Sequence, residues 1–257
     1  MWSSTELISS EKGWTLLRRM YVQRDELSFS KNNCPSCDIC TIVCPKEALS
    51  FQEIEGEDKM HLTVDKEKCS FCGVCVASCL YKAFEFRTND VITIPVEAKE
   101  VFPPFGGNTV RLNAENCIGC GNCVSSCPRG ATSLRYHKNE PFIIFDQELC
   151  SGCHTCELSC GVKLIESNPT FNGTLELNLD QCKEDCSLCI DLCPMDSLIN
   201  SLITNKAEWI EAGCTFCGAC ARICPENAIK VKREEMRPFA VESGVTTEAK
   251  KKLLQEE

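Results

Sequence analysis

Near the middle of the chain Cys117, Cys120 and Cys123 stand three residues apart, and Cys127 follows with Pro128 behind it. This is the spacing of a [4Fe–4S] ligand run. A cubane presents four irons, each needing one thiolate. Two-residue gaps let a tight loop wrap one face and set three sulfurs on three irons. The short gaps also aim backbone N–H groups at a group that carries negative charge. The run recurs as Cys34, Cys37, Cys40, Cys44; as Cys69, Cys72, Cys75, Cys79; as Cys150, Cys153, Cys156, Cys160; as Cys182, Cys186, Cys189, Cys193; and as Cys214, Cys217, Cys220, Cys224. Six tetrads use 24 cysteines, and the chain has 24.

Other chemistries fit less well. Two Cys-x-x-Cys pairs can hold a structural zinc, but zinc sites rarely draw four cysteines from one run of eleven residues. The Cys182, Cys186, Cys189 spacing matches that of radical enzymes, which leave one iron open; here Cys193 and Cys224 supply surplus ligands. The three histidines, His61, His137 and His154, have no nucleophile or carboxylate at a recognisable spacing. His154 reads as an exposed residue between ligands, with proton coupling as the other reading. The expectation is one-electron transfer without a substrate site, so no catalytic residue and no enzyme activity of its own. A mainly structural iron–sulfur scaffold remains open.

Charge and composition narrow the setting. The formal net charge is −10 with thiols neutral. Thiolate-bound oxidised cubanes would bring it to about −22, which disfavours nucleic acid and favours basic faces on protein partners. Aromatic residues make up only 7% of a 257-residue chain, so several small metal-stapled modules are expected rather than one large core. Met1 to Ser30 has no apolar signal core, and no apolar run approaches the roughly 20 residues of a membrane span. The expectation is a cytoplasmic protein of a reducing, anaerobic setting.

The elements around the tetrads repeat. Strands are expected at Glu26–Ser30, Ala83–Arg87, Thr109–Asn113, Val162–Ile165, Thr174–Leu179 and Ile229–Arg233. Hairpins are expected at Ala48–Gln52 with His61–Val64, turning at Glu55–Asp58, and at Ser133–Tyr136 with Ile143–Asp146. A less clear one lies between Leu198 and Ile210. The fold class is α+β. Domains are read as an arm at 1–25, modules at 26–100, 109–170 and 171–235, a linker at 101–108 and a tail at 236–257. Ser3 and Glu6 have capping-box spacing. The arm is apolar enough either to pack on its own module or to grip a partner. The second module boundary is placed in the turn-rich stretch Asn168-Pro169 to Asn172-Gly173. Thr246–Glu257 reads as a frayed tail rather than a short charged helix. A small residue follows most tetrads (Ala48, Ala83, Ala131, Ser197, Ala228), where bulk would strike the cluster. Leu80 and Gly161 replace the proline after Cys79 and Cys160, which puts loop shape in question. Asp38, His154 and Ser187 replace the glycine after the second cysteine, and Asp38 reads as a solvated charge or one that lowers a cluster's potential.

Over residues 26–235 the chain resembles archaeal polyferredoxins, three tandem bacterial two-[4Fe–4S] ferredoxin-like modules in a row. The resemblance implies six [4Fe–4S] clusters and crossed ligation, in which the fourth cysteine of one run serves the other cluster. It joins Cys34, Cys37 and Cys40 with Cys79, and Cys69, Cys72 and Cys75 with Cys44. It likewise joins Cys117, Cys120 and Cys123 with Cys160, and Cys150, Cys153 and Cys156 with Cys127. In the last module it joins Cys182, Cys186 and Cys189 with Cys224, and Cys214, Cys217 and Cys220 with Cys193. The Glu26-Leu-Ser-Phe lead-in, the Phe102-Pro103 linker, Cys127-Pro-Arg-Gly-Ala131 and Cys214-Thr-Phe-Cys217-Gly-Ala-Cys220 resemble the polyferredoxin subunit of formylmethanofuran dehydrogenase. That resemblance implies a relay of low-potential electrons to a tungsten or molybdenum enzyme reducing carbon dioxide. Polyferredoxins of hydrogenase and heterodisulfide reductase systems, as relay or electron store, are the near competitors.

Overall fold

The computed structural model describes residues 4–52, 60–93, 95, 110–112, 114–147, 149–236 and 244–255. The chain opens with three antiparallel strands, β1 (Ser4–Ser10), β2 (Gly13–Arg19) and β3 (Arg24–Ser30). A period of two along β3 turns Asp25, Leu27 and Phe29 inward. Next come α1 (Ile39–Val43), the hairpin of β4 (Leu49–Gln52) with β5 (His61–Val64), α2 (Val74–Ser78), β6 (Phe84–Thr88) and β7 (Val91–Ile92). Because β6 pairs with β3, the strands line up as β1-β2-β3-β6-β7. The opening hairpin is therefore no arm. It extends the first sheet and buries Trp14, Leu16 and Leu17. Trp14 stacks on Phe29 at 5.4 Å, and its indole N–H donates to the Leu62 carbonyl at 2.8 Å. Glu6, half of the supposed capping box, sits in strand β1.

The same plan is written more briefly twice again. Strand β8 (Val110–Leu112), α3 (Asn122–Ser125), the β9 (Thr132–His137) and β10 (Glu140–Phe145) hairpin, α4 (Thr155–Leu158) and β11 (Ile165–Ser167) follow in order, with β11 antiparallel to β8. Then come β12 (Phe171–Leu177), α5 (Leu188–Asp191), the β13 (Leu198–Asn200) and β14 (Ala207–Trp209) hairpin, α6 (Ala219–Ile223) and β15 (Ile229–Met236), which pairs with β12. Asn172-Gly173, expected as a turn, is a bulge inside β12. A Cβ on Gly173 would lie 2.0 Å from the Lys232 carbonyl oxygen, so the partner strand reaches into the space a side chain would need. The Glu55–Asp58 turn and the Phe102–Gly107 linker lie outside the described residues.

Residues expected to fray form α7 (Gly244–Leu254) instead. Ala249, Leu253 and Leu254 are buried in one core with Ile39 and Val43 of α1, Leu80 and Tyr81, and Phe171, Phe216 and Met236. A short charged helix has little stability of its own; this one is held by an apolar seam between the first and third parts of the chain. Among the described residues no helix is long and apolar enough to cross a membrane.

Candidate metal centres

Each tetrad takes the same shape. The third cysteine (Cys40, Cys75, Cys123, Cys156, Cys189, Cys220) lies in a one-turn helix, and the fourth lies just past its end. The residue before the second cysteine is left-handed in all six copies: Ser36, Phe71, Gly119, Gly152, Asp185 and Phe216 have φ between 50° and 68°. Four of these are not glycine, so the backbone accepts strain of about 1–3 kcal/mol at each to keep the wrap. The extra residue in the fifth copy does not change this, since Asp185 keeps φ at 61°.

A second left-handed residue stands three after each fourth cysteine, at Glu47, Lys82, Gly130, Lys163, Asp196 and Asn227. It turns the next backbone N–H back onto the sulfur. Ala48 donates to Cys44 at 3.3 Å, Ala83 to Cys79 at 3.2 Å and Ala131 to Cys127 at 3.2 Å. Leu164 donates to Cys160 at 3.4 Å, Ser197 to Cys193 at 3.3 Å and Ala228 to Cys224 at 3.3 Å. The copies with Leu80 and Gly161 keep this turn without proline. The sequence pointed to five of these positions, all but Leu164, as small and missed that they are donors; their constant four-residue offset was the signal. Such N–H groups stabilise charge on the sulfur.

Thiols of neighbouring tetrads lie close enough to act on one another. Burial pushes the Cys40 thiol well up, and Cys79 and Cys34 push it further. Burial and then Cys120, Cys160 and Cys117 raise Cys123. Burial takes Cys156 to about 12 with help from Cys153, Cys150 and Cys127, and Cys189 to about 11 with help from Cys182, Cys186 and Cys224. Burial raises Cys75 well up, and Cys40, Cys72, Cys69 and Cys44 add to it. Two cavities repeat the grouping. One is lined by Cys182, Cys186, Cys189 and Cys224, the other by Cys193, Cys214, Cys217 and Cys220. Thiols so placed stay protonated at neutral pH unless cations lie among them, and ligation requires thiolates. Among the described residues no three His, Cys, Asp or Glu side chains converge closely enough to hold a single ion. Four thiols lining one cavity suit a cubane, whose four irons are separate attachment points. The residues present therefore fit [4Fe–4S] groups, which would supply one-electron redox chemistry. Among the described residues, which include all the cysteines, none is disulfide-bonded and Cys120 alone is exposed.

Comparison with known proteins agrees. Residues 33–83 match the 4Fe-4S dicluster domain. Residues 110–132 and 207–230 match the 4Fe-4S binding domain, and 147–163 match a second family of that description. A ferredoxin of Methanothermococcus thermolithotrophicus is 33% identical over 63 residues, 98% of its length and 23% of this chain. The chain belongs to the 4Fe-4S ferredoxin family. It carries multiple 4Fe-4S binding domains of mixed helix and strand. Formate hydrogenlyase subunit 2 of Escherichia coli is 27% identical over 115 residues, 41% of this chain; the ferredoxin described here spans about half, 54%, of that relative. A chain of the formate dehydrogenase–heterodisulfide reductase–formylmethanofuran dehydrogenase complex of Methanospirillum hungatei has the same fold, with a TM-score of 0.81 at 24% identity over 97% of this chain and 91% of that one.

Two side chains of this ferredoxin are not where the sequence put them. Asp38 is only partly exposed, and its charge is balanced. Its carboxylate accepts from Arg233 at 2.6 Å, and Arg233 is almost wholly buried. Gly218, at φ 88°, leaves the room: a Cβ there would meet Arg233 and Asp38 at 3.1 Å. His154 is half-buried, in a left-handed conformation with φ 46°. Burial holds its pKa below the ordinary imidazole value.

Proposed function

We propose that this ferredoxin is a polyferredoxin relay subunit. Three tandem two-cluster modules hold six [4Fe–4S] clusters by the crossed sets of cysteines, and low-potential electrons pass between redox proteins docked on it. The recurrent pair of left-handed residues and the N–H donor to every fourth sulfur carry this reading. All six tetrads are built alike, so all six are read as loaded. Six centres are more than a single diffusing carrier needs, which supports a fixed place in a larger assembly.

The assembly favoured is one in which a tungsten- or molybdenum-dependent formylmethanofuran dehydrogenase receives the electrons and reduces carbon dioxide. The motifs quoted from the sequence support it, as does the fold shared with a chain of the Methanospirillum hungatei complex. A hydrogenase- or heterodisulfide-reductase-linked relay is the second reading, and the likeness to formate hydrogenlyase subunit 2 favours it.

Two experiments test the proposal. Anaerobic analysis of the native protein is expected to give about 24 iron and 24 sulfide per chain; mostly zinc, or under half that iron, refutes the cluster count. Reconstitution of the dehydrogenase with a reduced low-potential donor is expected to need this chain. Equal carbon dioxide reduction without it refutes the first partner.

A further inference from the structure

Cys37 of the first tetrad and Cys217 of the sixth lie in one buried core. Tyr81, two residues past Cys79, is buried in the same core and is 7% exposed. Its hydroxyl is 3.0 Å from Thr215 Oγ1. Arg233 closes the contact from the other side. It joins Asp38, next to Cys37, to the backbone around the sixth tetrad, donating at 2.9 Å to both the Phe216 and the Cys217 carbonyls. The middle part of the chain reaches the same place separately. Arg129 donates to the Cys79 carbonyl at 2.6 Å, and Ser151 to the Leu80 carbonyl at 3.1 Å.

Electron tunnelling decays steeply with distance, so electrons follow spatial neighbours and not chain order. We propose that the groups held by the first and sixth tetrads exchange electrons directly across Tyr81, so that residues 110–167 form a side branch of the relay and not an obligatory link. This rests on the reading that the crossed sets hold [4Fe–4S] clusters. One electron moves. A [4Fe–4S] group held by Cys34, Cys37, Cys40 and Cys79 would lose the electron that one held by Cys214, Cys217, Cys220 and Cys193 would gain, or the reverse. Tyr81 gains and loses nothing; it is the packed medium between them, and no proton or atom is transferred.

The test uses the full chain, loaded anaerobically, with iron and sulfide assayed first; low iron overturns the cluster reading itself and is seen before any kinetics. In a loaded chain, Cys123→Ser with Cys156→Ser disables the two middle sites. Flash reduction followed by freeze-quenched EPR then reads redistribution between the first and third parts of the chain. The rate is expected to stay within about threefold of the parent, and any larger slowing overturns the proposal. A second measurement holds if that variant does not fold. In the half-reduced parent, the EPR signal of the sixth site is expected to be broadened by the spin at the first, and to narrow in Cys34→Ser. A sixth-site signal that Cys34→Ser leaves unchanged overturns the direct exchange.

Discussion

At five of the six tetrads Ala48, Ala83, Ala131, Ser197 and Ala228 serve twice, through a small side chain and through the N–H they supply. Larger side chains there would displace the group that the N–H helps to charge. The fourth cysteines allow a sharper trial. Cys79→Ala is expected to damage the centre held by Cys34, Cys37 and Cys40 more than that held by Cys69, Cys72 and Cys75. EPR and iron loss measure this, and damage confined to the second run would refute crossing. Asp25 offers a pH test. Burial alone would raise its carboxyl, but Gln23, Arg18 and Thr88 hydrogen-bond to it and leave it below the usual carboxylate value. A depressed carboxyl contributes stability that is fully present above the unfolded pKa of about 4 and is lost as pH falls through the folded value. Asp25→Asn is therefore expected to flatten the acid limb of the thermal-melting curve; an unaltered limb would contradict it.

At the scale of elements, local pattern served well where strands alternate and less well where an element depends on distant residues. The hairpins beside the tetrads follow from period-two patterning, and they lie within a few residues of where the sequence put them. The opening segment was ambiguous because Trp14, Leu16 and Leu17 suit a docking arm as well as a core. What decides is their pairing with β3, which no short window contains. Gly13 makes that pairing possible: at φ 142° a Cβ would lie 2.0 Å from the Phe29 carbonyl oxygen. Gly13→Ala is expected to loosen residues 4–19, read as faster amide exchange across that hairpin. Helix α7 was hidden for the same reason, since its charged sequence gives no hint of the seam it enters. Leu253→Ala is expected to cost about 2–5 kcal/mol, seen as a lowered denaturant midpoint, and no change would mean that the helix is not held there.

For the whole molecule, the six cysteine runs were legible because spacing is local, whereas the assembly was not. Asp38 and Arg233 stand 195 positions apart, and neither looks unusual in its own neighbourhood. The cores are also unequal. Around the first two tetrads Trp14, Phe29, Phe71, Phe84 and Phe86 pack together, while around the third and fourth the buried set is Val110, Cys123, Cys156 and Ile165, half of it ligand. Anaerobic removal of iron is thus expected to open residues 110–167 first and 13–88 last. Limited proteolysis orders these events, and simultaneous loss would argue for one cooperative unit. The seating of α7 has a consequence for biosynthesis. The surface around Ile39 and Val43 leaves the ribosome some two hundred residues before the helix that covers it. Until residues 244–254 emerge, the first module waits with an oily face open to other nascent chains. Its safe completion is timed by residues 244–254.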